Sequence, residues 1–197
     1  MRFCNRLLND ASMKTIIFAI TLLASAAHAQ NAQPGTPVAG TTTTTAKPFG
    51  PTDNRFAKTT AEIMHFQLKL AGRWNGIKEL EPDFSKWLQP RHVKLIALWT
   101  PFATMCVDNG VKGLATDISK KEAAELAANP NAKEKGFRLA HLETLAKSSK
   151  KAHKEMENAA KSIQNPQLKA WSDNALAVLK TNAEDYEARY QEEKKLK

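Results

Sequence analysis

From residue 56 onward, apolar side chains recur at three- and four-residue spacing, and no stretch shows the two-residue alternation of a strand. Phe56, Thr60, Ile63, Gln67, Leu70 and Trp74 form one stripe, with Ala57, Ala61, Met64, Leu68 and Ala71 beside it. The pair predicts a helix with a wide buried face, which Asp53 or Asn54 is suited to cap and Gly76 to end. A second helical region opens at Glu81-Pro82-Asp83 and runs toward Gly110. Between Val93 and Val107 it is apolar almost all round, broken chiefly by Lys94, Thr100 and Thr104. Such a helix is expected to be surrounded, either inside a bundle or at a subunit contact. Pro90 and Pro101 each remove a backbone donor, so the region reads either as one bowed helix or as two helices broken at Pro90.

Gly110 to Asp117 reads as a loop, and Ser119 with Glu122 as a capping box opening a short helix to about Ala128. Asn129-Pro130-Asn131 stops it, and a long helix is expected over Ala132–Gln164. Its inner face carries Phe137, His141, Thr144, Ser148, Ala152, Met156, Ala159 and Ile163. Asn165-Pro166 then starts a last helix with Leu168, Trp171, Ala175, Val178, Asn182 and Tyr186 inward. Gln191 to Lys197 should fray into solvent. The pattern predicts an all-α fold, a four-helix bundle with one short extra helix.

The beginning of the chain follows a different pattern. Lys14 precedes the apolar run Ile16 to Ala26, and Ala27-His28-Ala29 places small residues where a signal peptidase reads, which predicts a signal peptide over 1–29. The run is too short to span a bilayer, which takes about 20 apolar residues. Met1 and Met13 are both suitable starts. Residues 30–51, with Thr41 to Thr45 and Pro34, Pro37, Pro48 and Pro51, read as a disordered spacer ahead of a helical domain at 52–197. These features predict a periplasmic or secreted protein with no transmembrane segment in its mature chain. Cys4 precedes the apolar run, which excludes a lipid anchor after the cleavage point. It leaves with the signal, so Cys106 remains alone and no intrachain disulfide is expected.

Charge narrows the function only slightly. A formal net charge of +9 favours weak attraction to anionic polymers or lipid headgroups and does not point to a specific nucleic-acid partner. Lys147, Lys150, Lys151 and Lys154 cluster within two helical turns and are the place for such a contact, but Glu155 and Glu157 interrupt the cluster and no aromatic side chains interleave it, so a solvated helix surface is the simpler account. Glu62-Ile63-Met64-His65 has the spacing of a di-iron ligand pair, but no second copy of it exists in the chain. His141 on an inner stripe reads as an interior residue. Cys106 reads as core filling, and Trp74, Trp87, Trp99 and Trp171 as packing anchors. No nucleophile, acid and base share a spacing that would assemble a catalytic site, so the chain is not expected to be an enzyme and no cofactor is expected.

Several short motifs carry a resemblance: Glu81-Pro82 followed by Trp87, Asn109-Gly110-Val111 before Ser119-Lys120-Lys121-Glu122, Phe137 to Leu142, and Asn165-Pro166-Gln167-Leu168-Lys169-Ala170-Trp171. Together with Ala61-Glu62 they resemble a bacterial family of exported helical bundles of unknown function, described as outer membrane proteins and grouped with ferritin-like folds. The resemblance implies a ferritin-like bundle. That family tends to carry an Asp-His pair on its second helix and another on its third long helix. Here the matching positions hold Lys94-Leu95 and Ser148-Ser149, so no ligand role transfers. His92 and His153 lie about one turn from those positions and remain the candidate metal ligands, provided the two helices run antiparallel. The leading expectation is non-enzymatic binding to an envelope protein or self-association. The alternative is a ferritin-like metal or small-ligand protein with a degenerate site.

Overall fold

Three of the four long helices in this computed structural model begin on a proline, where the missing N–H costs nothing and the fixed φ suits the first turn. The structure describes residues 48–128 and 136–196. Helix α1 spans Pro51–Ala71, and α2 is a single turn at Trp74–Ile77. Helix α3 spans Pro82–Asp108 and α4 Lys120–Ala128, followed by α5 at Phe137–Ala160 and α6 at Pro166–Lys195. The fold is all-helical, with no strand among the described residues. The signal peptide, the spacer up to residue 47 and the Asn129-Pro130-Asn131 stop fall outside the described residues.

Both apolar stripes are buried apart from half-buried Leu68 and Trp74, the latter lying beyond the end of α1 in α2. Phe49 is buried as well, and the helix begins at Pro51, so the helical domain takes in residues ahead of 52. Helix α1 stops at Ala71 rather than Gly76, and Gly72, just past its end, lies tight against His92 of α3. A Cβ built on Gly72 would lie 3.1 Å from His92 Nε2 and 2.8 Å from Leu68 O. Helix α3 runs unbroken through Pro90 and Pro101. Ser119 and Glu122 form the expected reciprocal cap: the Glu122 carboxylate accepts from Ser119 N at 2.8 Å, and Ser119 Oγ accepts from Glu122 N at 3.2 Å.

Helix α5 ends at Ala160, four residues before Gln164, because the N–H groups of Gln164 and Asn165 turn to the Asp53 carboxylate instead of continuing the ladder. Asn165 caps α6 through its side chain, accepting from Gln167 N and Leu168 N, each at 3.0 Å. The chain end does not fray at Gln191. Helix α6 continues to Lys195, held by Glu193, whose carboxylate pairs with Arg138 of α5 at 2.5 Å and with Arg189 at 3.0 Å.

Helix α1 packs against α3 and α5, and α6 packs against the same two helices. Residue pairs fix the directions. His65 meets Trp99 while Trp74 meets His92, so α1 and α3 are antiparallel. Asp53 reaches Gln164 while Gln67 bonds Ser148, which makes α1 and α5 antiparallel too. Helices α3 and α5 therefore run parallel, and the segment between them, carrying α4, must travel back along the molecule. Two apolar clusters fill the interior, one around Phe56, Met64, Phe102 and Trp171, the other around Phe84, Leu88, Phe137 and Tyr186. Their burial supplies the main stabilising term, since no disulfide exists among the described residues.

Candidate functional site

A polar layer separates the two apolar clusters. Gln67 Nε2 donates to Ser148 Oγ at 2.7 Å, and Ser149 Oγ donates to Gln67 Oε1 at 2.9 Å. All three side chains are buried. Their pairing is reciprocal, so one amide from α1 satisfies two hydroxyls of α5. On α6, buried Asn182 and the Tyr186 hydroxyl find no hydrogen-bond partner among the described residues. Gln67 and Ser148 also line a groove of about 130 Å³ between α1, α4 and α5, whose rim carries Glu122, Glu125, Lys147 and Lys151.

The histidines occupy separate environments. His92 Nδ1 accepts from Trp74 Nε1 at 2.9 Å, and burial lowers its pKa. His153 is half-buried on α5. Because α3 and α5 run parallel, the antiparallel arrangement that would bring these two together does not exist. His92 sits level with Trp74, whereas the pairing of Gln67 with Ser148 sets His153 level with residue 62, about 18 Å lower at the α-helical rise. Among the described residues no group of three His, Cys, Asp or Glu side chains is placed to hold a metal ion. Glu62 is exposed while His65 is buried against Trp99 at 4.5 Å, so these two point to different surroundings.

His141 is fully buried, stacked on Phe137 with ring centroids 5.3 Å apart, and burial pushes its pKa down to about 3. It is a neutral interior residue. Cys106 is fully buried, and its thiol is pushed up to about 12 by the same desolvation, which keeps it protonated and unreactive. Trp171 Nε1 donates to Leu98 O at 3.0 Å, and the Arg91 guanidinium lies 3.8 Å from the Trp87 ring centre, so both indoles act as packing anchors. Within the lysine cluster, Lys147 pairs with Glu143 at 2.5 Å and Lys151 approaches Glu155 at 3.9 Å, while Lys150 and Lys154 are exposed.

Helix α3 departs most from expectation. Among the described residues it is not surrounded: Val93, Ala97, Thr100, Pro101, Thr104 and Val107 line its outer side, all of them exposed and Val107 at 73%. Thr100 Oγ1 donates to Ile96 O at 3.2 Å, and Thr104 Oγ1 donates to Thr100 O at 3.1 Å. With the hydroxyls turned onto the backbone, these threonines offer mainly methyl surface to water. Exposed positions of α5 and α6 carry Lys150, Lys154, Glu157, Lys180 and Glu184; those of α3 from 93 to 108 carry charge only at Lys94 and Asp108. The four-three-four-three spacing of 93, 97, 100, 104 and 107 was the available sequence signal, hidden because the inward stripe Leu95, Leu98, Phe102 and Cys106 is more apolar still.

Comparisons with protein-family models, with curated proteins and with solved structures return no match for this chain.

Proposed function

We propose that the mature chain is an exported helical-bundle protein acting by non-enzymatic binding in the cell envelope, with the outer face of α3 as its contact surface. The carrying observation is that face: an exposed helix side that holds small, β-branched and methyl-rich residues where the other long helices present charge. Export follows from Lys14, the Ile16 to Ala26 run and the Ala27-His28-Ala29 site. The resemblance to the exported outer-membrane-protein family supports the same compartment. A photo-crosslinking amino acid at Val107, compared with one at Lys180, tests the surface in protein added to envelope extract. A discrete adduct from position 107 alone is expected; labelling equal at both positions, or none at 107, overturns the reading.

The second reading is a ferritin-like bundle with a degenerate site. It is favoured by the parallel course of α3 and α5 and the long return between them, an arrangement ferritin-like folds share. The central donors, however, are the amides of Gln67 and Asn182 and the hydroxyls of Ser148 and Ser149. Neutral amides and hydroxyls are weak ligands for a divalent transition ion, so the residues present do not fit a di-metal centre. Metal analysis of protein isolated from the periplasm decides this reading: about one ion per chain would revive it.

A further inference from the structure

The uncharged seam on α3 matches its own reverse. Val93, Ala97, Thr100, Thr104 and Val107 follow the alternating spacing of a helix-pairing stripe over about 21 Å, with small side chains at its middle. Its two charges stand at opposite ends, Lys94 near the start and Asp108 at the finish. Neither makes an ion pair within the chain among the described residues. Lys94 is exposed and Asp108 lines a shallow groove with Pro101, Thr104, Met105, Asn109 and Gln167.

We propose that the partner covering this face is a second copy of the chain, packed with the two α3 helices antiparallel about a two-fold axis near Thr100 and Pro101. The proposal rests on the reading of α3 as the contact surface and names its occupant. In this orientation Val93 of one copy lies toward Val107 of the other, and Lys94 of each copy enters the groove beside Asp108 of its partner. A parallel pair sets Lys94 against Lys94 and Asp108 against Asp108, so the charges select the antiparallel one. Small residues at 97, 100 and 104 let the backbones approach closely, as a two-fold contact requires at its centre. Four turns of a single helix bury less than the ~1,200 Å² of a standard stable interface, so a micromolar dimer in rapid exchange follows.

The test uses the mature chain and sedimentation equilibrium from about 1 to 100 µM, the range in which such a contact dissociates. The native chain is expected to shift from monomer toward dimer across this range. Val107→Glu should abolish the shift without altering the circular dichroism spectrum, because Val107 is exposed. Lys94→Asp and Asp108→Lys should each weaken association about tenfold at low salt by setting like charges together twice per dimer. The mixture of these two variants should recover it, since in the mixed dimer each acidic side chain at one end of the seam again faces a lysine of the other copy. A native chain that stays monomeric, or a dimer indifferent to Val107→Glu, overturns the proposal. So does a mixture no tighter than the single variants. A monomer that still gives the Val107 adduct with envelope extract sinks the self-association while sparing the contact surface; loss of both removes the surface as well.

Discussion

The Asp53 carboxylate accepts a hydrogen bond from the backbone N–H of Asn165, 3.2 Å away and 112 residues later in the chain. Its Oδ1 also accepts from Gln164 N at 2.8 Å, while Oδ2 accepts from Gly50 N at 3.1 Å. Asn165 in turn caps α6 with its side chain. Two polar residues, both with buried side chains, therefore tie the first turn of α1, the α5–α6 turn and the start of α6 at one end of the molecule.

Asp53→Ala should lower unfolding free energy by about 2–4 kcal/mol, because three backbone donors lose a charged acceptor and those of Gln164 and Asn165 have no helical partner to return to. Asp53→Asn keeps an acceptor oxygen and should cost about half as much. Urea denaturation of both variants measures this. Equal losses would show that shape rather than charge-assisted bonding holds the junction.

The Gln67 amide predicts a cycle. Gln67→Leu strands two buried hydroxyls and should cost about 2–3 kcal/mol, whereas the triple change Gln67→Leu, Ser148→Ala, Ser149→Ala removes every member of the network and should recover at least half of that. Thermal unfolding of the single and triple variants provides the comparison. A triple variant less stable than the single one would refute the idea that the loss comes from unpaired hydroxyls.

Much of this was readable from spacing alone. The stripes of α1, the cap at Asn165-Pro166 and the Ser119–Glu122 box depend on residues within one or two turns of each other, and local chemistry decides them. Positions set by distant partners were not readable. Gly72 is crowded because His92 arrives beside it, Glu193 stays helical because Arg138 holds it, and α5 stops early because Asp53 captures its turn. The proposed pairing of His92 with His153 needed a helix direction that spacing does not contain. The outer face of α3 was hidden because a helix apolar on both sides gives no clue to which side the chain itself covers.

Gly72→Ala tests the tight contact of Gly72 with His92 of α3. Its φ of −67° suits alanine, so the backbone adds no strain, but the new methyl meets Leu68 O at 2.8 Å and His92 Nε2 at 3.1 Å. A loss of about 1–3 kcal/mol is expected, with His92→Ala in the same chain returning part of it by freeing space on the α3 side. Strict additivity of the two changes in chemical denaturation would mean that the imidazole is not what the methyl strikes.

His141 should set part of the acid limb of stability. Its folded pKa lies near 3 against 6.5 for the free side chain, and neither ring nitrogen has a hydrogen-bond partner among the described residues. Above pH 6.5 both folded and unfolded chains hold it neutral, so it contributes no pH dependence there. As pH falls from 6.5 toward 3, the unfolded chain takes up a proton that the folded chain refuses, and stability drops by about 1.4 kcal/mol per unit. Burial lowers His65 and His92 as well, which steepens the upper part of the same window. His141→Leu replaces an unpartnered imidazole between Phe84 and Phe137 by an apolar group of similar reach, so stability at about pH 7.5 should change by less than ~1.5 kcal/mol. Between about pH 7.5 and 4.5 the variant should lose roughly 2–3 kcal/mol less than the native chain. Urea titrations at the two pH values supply the difference; parallel losses in both chains would mean that the acid limb belongs to other groups.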